Sequence, residues 1–114
     1  MRALVVDALR IEDFEVDEVG DGRTMWIRTI QGLSYDLVVS DLRLPIVDGF
    51  TVLEDLLGRA PKTQAIVMTA FADASVRARA EAIGVMVIDK PFKMAELRAA
   101  ARRLRENAAH EGEP

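Results

Sequence analysis

The chain has 114 residues, a net charge of -4 and no cysteine. That length holds one domain core, the acidic balance gives no electrostatic basis for binding nucleic-acid phosphates, and the missing thiols exclude disulfides and thiolate metal sites. No charge-free apolar stretch approaches the ~18 residues of a membrane span, and residues 1–9, with Asp7 among them, are too short for a secretory leader, so a cytoplasmic protein is expected.

In chain order, Ala3-Leu4-Val5-Val6, closed by Asp7, reads as a first strand buried on both faces. Phe14-Glu15-Val16-Asp17-Glu18-Val19 alternates with period two, the pattern of an edge strand with one wet face, and Gly20-Asp21-Gly22 turns the chain. Residues 23–32 predict a helix with Met25, Trp26, Ile27 and Ile30 as its apolar stripe and Gly32 as its stop. A third strand over 36–40 leads to Asp41. Over 50–59, Phe50, Leu53, Leu56 and Leu57 fall at helical spacing ahead of Pro61. A fourth strand, 65–68, leads to Thr69.

Asp73 is placed to cap a helix over 74–83, with Val76, Ala80 and Ile83 on one face and Gly84 ending it. A fifth strand, 85–88, leads to Asp89 and Lys90. The last helix, 93–107, turns Met94, Leu97, Ala101 and Leu104 inward and Arg98, Arg102, Arg103 and Arg105 to solvent, and residues 108–114 read as a polar, frayed tail. Trp26 and Phe71 read as packing residues. His110 has no metal-spaced neighbours and takes no role. Asp89 is either an ion-pair partner of a neighbour or a wet strand end.

If the apolar runs are parallel strands, Asp7, Asp41, Thr69 and Lys90 gather at one edge of one sheet, beyond the carboxyl ends where open α/β sheets place their chemistry. Only seven residues separate Val6 from Phe14, whereas a crossover between parallel strands needs roughly ten to twelve. Extended, they reach about 23 Å, and as helix about 10 Å. A first helix is therefore expected to be missing or vestigial, with Ala8-Leu9-Arg10-Ile11-Glu12-Asp13 its last turns and Asp7 on either side of the junction. The sheet face so uncovered would be filled by a second copy, an exchanged segment or a shift of the last helix.

Val5-Val6-Asp7, the run from Asp36 to Pro45 with Asp48-Gly49, Met68-Thr69-Ala70 and Lys90-Pro91-Phe92 together resemble the receiver domain of two-component response regulators over nearly the whole chain. The resemblance implies a flavodoxin-like (βα)5 three-layer sandwich with a parallel sheet in the order 2-1-3-4-5, a receiver domain over residues 1–107. It implies that Asp41 is the phosphoacceptor, that Lys90 and Thr69 face the phosphoryl oxygens, that the Lys90-Pro91 bond is cis, and that magnesium is held by Asp7, Asp41 and the Arg43 carbonyl. A carboxylate is a competent nucleophile toward phosphorus, and a charge-dispersed transition state needs fixed cations and donors. Gly49 is expected to allow a positive φ where a helix begins.

Two departures from the family stand out. Asp7 is followed by Ala8 where receivers carry a second acid, the direct metal ligand, and Val87 stands where an inward-swinging aromatic is common. The reading that results is a phosphoaccepting, non-enzymatic module of a phosphorelay. Its partners would be a histidine kinase or phosphotransfer protein and a downstream protein, and the chain, ending after the last helix, brings no output domain. The alternative is a pseudo-receiver serving as an interaction or dimerisation module. A flavodoxin-like nucleotide or flavin binder fits least, because no glycine-rich loop follows the first apolar run.

Overall fold

A computed structural model of the chain describes residues 2–18, 22–32, 35–42, 49–60 and 62–111, without the side chains of residues 2, 22, 29 and 108–111. Its elements are α1 (Arg2–Ile11), α2 (Gly22–Ile30), β1 (Leu37–Asp41), α3 (Gly49–Arg59), β2 (Gln64–Thr69), α4 (Ala74–Ile83), β3 (Met86–Asp89) and α5 (Met94–Glu111). They form two compact units, Met1–Glu18 with Phe92–Pro114, and Val19–Pro91.

In the first unit α1 packs against α5. The run Ala3-Leu4-Val5-Val6, expected as a strand, is instead the opening of α1, and Asp7 lies mid-helix on its exposed side. Val5, Ala8, Leu9 and Glu12 are buried at i, i+3, i+4 and i+7, while Leu4 and Ile11 face outward. A four-residue apolar run fits a strand or a buried helix turn equally. What decides between them is that the helical spacing continues across Asp7 through Ala8 and Leu9. The first helix is thus present, and it is the first strand that has no counterpart among the described residues.

α1 ends where Asp13 adopts a left-handed conformation, φ 64°. The Phe14 N–H donates to the Leu9 carbonyl at 3.1 Å and the Asp13 N–H to that of Arg10 at 3.0 Å, a closure that usually falls to glycine. Residues 14–18 keep the expected alternation, with Phe14 and Val16 half-buried and Glu15, Asp17 and Glu18 exposed, but they join no ladder. An extended segment becomes a strand only with a neighbour, and the strand expected beside it is helical. Val19 lies outside the described residues.

The charged face of α5 is also other than expected. Arg98 and Arg102 reach the carboxylate of buried Glu12 at 3.2 and 3.6 Å. Arg105 donates to the Glu12 carbonyl and lies 4.9 Å over the Phe14 ring. Leu97 and Ala101 are fully buried as expected, and Met94 and Leu104 half-buried. The helix runs on to Glu111, four residues past its expected end.

In the second unit the sheet has the order β1-β2-β3, all parallel, with Leu37 opposite Gln64, Asp41 opposite Met68, Ile66 opposite Met86 and Thr69 opposite Asp89. These are the third, fourth and fifth expected strands, each ending one residue later. β2 is central, and its residues from Ala65 to Thr69 are all buried, which accounts for a continuous apolar run without alternation. Val38, Ala65 and Val67 pack with Phe50, Leu53 and Leu56 of α3, Ala80 of α4 and Val85. Asp73 caps α4 by accepting from the Val76 N–H at 2.9 Å, and Gly84, φ 76°, closes it. In α2, Met25 and Trp26 are half-buried but Ile27 and Ile30 are exposed, narrowing the expected stripe. Gly32, φ 90°, stands just past the helix end.

Candidate functional site

Each strand of the sheet ends in a polar residue because each apolar run does. Asp41 is the last residue of β1, Thr69 the last of β2, and Lys90 follows Asp89 at the end of β3. Two backbone bonds lock these ends in register, Leu42 N–H to the Met68 carbonyl at 3.0 Å and Lys90 N–H to the Thr69 carbonyl at 2.8 Å. The Lys90 ammonium crosses the end of β2 to pair with Asp41 Oδ2. Both charged groups remain in contact with solvent, the Lys90 side chain 23 % and that of Asp41 38 % exposed.

Thr69 is buried, and its Oγ1 accepts from the Phe71 N–H at 3.1 Å. Phe71, expected to be a packing residue, is largely exposed. Ser40 donates its hydroxyl to the Asp41 carbonyl at 2.9 Å. The Lys90-Pro91 peptide is cis, as the resemblance implied. Gly49 does not use a positive φ. A Cβ there would lie 2.6 Å from the Leu42 carbonyl oxygen, so its role is to let the start of α3 approach the chain just after Asp41.

Sequence reasoning thus brings together Asp41, Thr69 and Lys90, while Asp7 belongs to the exposed side of α1 and ends no strand. Arg43, Leu44, Pro45 and Asp48 lie outside the described residues. Asp89, left open by the sequence, is held by Arg77 of α4 through two bonds of 2.9 and 2.8 Å. Nothing in the sequence signals that pair, because the fold alone brings together residues twelve apart.

Trp26 is a second residue whose polar contact was not foreseen: its indole N–H donates to Asp55 Oδ2 at 2.7 Å, and Arg59 donates to the same oxygen at 2.9 Å. These donors, the indole first, hold the Asp55 carboxyl below its ordinary range. Among the described residues the cleft offers few oxygen donors for a hard dication. Asp41 supplies a carboxylate, that of Asp89 is taken by Arg77, and no group of three acidic or imidazole side chains among the described residues could enclose a metal ion.

Residues 1–102 match the family described as the response regulator receiver domain. The chain is 36% identical over 105 residues to the transcriptional regulatory protein TcrA of Mycobacterium tuberculosis, covering 91% of this chain and 41% of that protein. It is 28% identical over 104 residues to the regulatory protein AtoC of Escherichia coli K12, covering 90% and 22%. The chain therefore spans less than half the length of these relatives.

Among solved structures, the CheY-like receiver domain protein of Methanospirillum hungatei JF-1 superposes with a TM-score of 0.87 at 20% identity, over 95% of this chain and 86% of that one. The BeF3-activated receiver domain of DrrB from Thermotoga maritima gives 0.81 at 22%, over 92% and 87%. Structural likeness at these identities establishes the α/β receiver fold with its parallel sheet. The family match over residues 1–102 establishes membership, and the chain belongs to the response regulator receiver domains of two-component signalling, signalling modules rather than enzymes.

Proposed function

We propose that this receiver accepts a phosphoryl group on Asp41 from a histidine kinase or phosphotransfer protein and signals through changed protein contacts. The observation that carries the reading is the convergence of Asp41 and Lys90 across the end of β2, with the Thr69 hydroxyl at that same end. An Asp41 oxygen would form the bond to phosphorus as the bond from phosphorus to the donor nitrogen breaks, leaving an acyl phosphate and a free imidazole. The Lys90 ammonium, which neutralises the resting carboxylate, would then face the phosphoryl oxygens, where negative charge develops.

Receiver domains typically bind magnesium, a dication that takes oxygen ligands in octahedral geometry and commonly keeps one or two carboxylates with phosphate and waters. The described donors here do not complete such a site: Asp7 is on the exposed side of α1, the Arg43 carbonyl is outside the described residues, and Asp41 is already paired with Lys90. This sparseness favours one second reading, a receiver fold retained as an interaction module without phosphorylation.

Intact mass after incubation with acetyl phosphate and magnesium separates the two. One added phosphoryl group on the wild type and none on Asp41→Ala supports the phosphoacceptor. No gain in either leaves the interaction module.

A further inference from the structure

We infer that Arg77 is a positioning residue for the cleft: by holding the Asp89 carboxylate it neutralises a charge that would otherwise compete with Asp41 for the Lys90 ammonium. Asp89 is the last residue of β3, opposite Thr69 in the sheet, and Lys90 follows it directly, the two Cα atoms about 3.8 Å apart. A lysine ammonium is a compact charge on a flexible four-carbon stem. Two carboxylates thus stand near one mobile cation, and the structure divides the work. Lys90 pairs with Asp41 Oδ2, while Arg77 Nη2 donates to both oxygens of Asp89, at 2.9 and 2.8 Å.

The fold around the site delivers the arginine. The chain leaves β2 at Thr69, whose Oγ1 accepts from the Phe71 N–H, reaches the Asp73 cap and starts α4, where the Arg77 N–H donates to the Asp73 carbonyl at 3.0 Å. The segment that carries the cleft hydroxyl therefore also sets Arg77 against Asp89. The pair is open to solvent, the Arg77 side chain 53 % and that of Asp89 59 % exposed, and an exposed ion pair adds little to stability. What it changes is charge. With Arg77 present, the charges of Asp41, Lys90, Asp89 and Arg77 cancel. Without it, an uncompensated carboxylate stands next to the ammonium.

The consequence for rate rests on the reading of Asp41 as the phosphoacceptor. Phosphoryl donors are anionic, so a net negative charge beside the cleft opposes their approach. The same charge draws Lys90 from the place where negative charge develops in the transition state. Removing Asp89 takes away the competitor and makes the arginine dispensable. A purely structural clamp behaves differently, because Arg77→Gln and Asp89→Asn break the same pair and would do equal harm.

The test takes the wild type, Arg77→Gln, Asp89→Asn and the double variant. Phosphoryl uptake from acetyl phosphate with Mg2+ is followed by intact mass. The side-chain carboxyl 13C resonance of Asp41 is read separately, with no phosphoryl donor present, and Lys90→Gln marks its position when that pair is broken. Arg77→Gln should take up the group about two- to fivefold more slowly, the worth of one exposed ion pair. Asp89→Asn should be no slower than the wild type, and the double variant should return to the wild-type rate. Relative to the wild type, the Arg77→Gln deficit should shrink in about 1 M NaCl, where charges are screened within about 3 Å. The Asp41 resonance should move toward its Lys90→Gln position in Arg77→Gln and move back in the double variant.

An Asp41 resonance that stays in place in Arg77→Gln, or an Asp89→Asn variant as slow as Arg77→Gln with no recovery in the double variant, would each overturn the inference. If no protein of the set takes up a phosphoryl group while the resonance moves and returns as stated, the positioning role stands and the phosphoacceptor reading falls. If all four are labelled at one rate and the resonance does not move, the reverse holds.

Discussion

Gly49 shows how a single atom constrains the cleft. Replacing it by alanine would ordinarily favour a helix by up to about 1 kcal/mol, yet the added methyl would stand 2.6 Å from the Leu42 carbonyl oxygen and 3.3 Å from that of Asp41. Overpacking against backbone costs about 1–3 kcal/mol. Gly49→Ala is therefore expected to lower stability in urea unfolding, with the Asp41 and Leu42 amide resonances the most displaced. Asp55 supplies a pH reading. Its carboxyl is held below the ordinary value of 3.8 chiefly by the Trp26 indole and then by Arg59. A lowered folded-state pKa means that the stabilisation is fully present above the unfolded value and is lost as pH falls through the folded one. Trp26 fluorescence should accordingly titrate with a midpoint below 3.8, and Asp55→Asn should abolish that step.

The pairing of α1 with α5 turns on Glu12, a carboxylate with 9 % side-chain exposure shared by Arg98 and Arg102. Breaking a fully buried pair costs about 3–5 kcal/mol. Here the guanidiniums are 36 % and 49 % exposed and solvent screens them, so Glu12→Gln should cost about 1–2 kcal/mol by thermal unfolding. Arg103→Gln, on the exposed side of the same helix, should stay within about 0.5 kcal/mol. The elements also show where a linear reading succeeds. α4 was legible to the residue because its ends carry their own chemistry, a capping Asp73 and a left-handed Gly84. α1 was misread because its apolar opening is short enough for either structure and because its end is closed by Asp13, an aspartate in a glycine's conformation.

For the chain taken together, the few oxygen donors among the described residues predict little response to magnesium. With free metal at or below its dissociation constant the stabilisation is at most about 0.4 kcal/mol, so millimolar Mg2+ should leave the thermal midpoint nearly unchanged, and a shift of several degrees would refute this. The residues themselves fixed three strands, the helices between them, and the order Asp41, Thr69, Lys90, because an apolar run bounded by a polar residue carries both the strand and its end. Tertiary structure alone decided that Arg77 holds Asp89 and that α5 spends its arginines on Glu12. Those outcomes depend on which surfaces meet in space, and local periodicity carries no information about the partner.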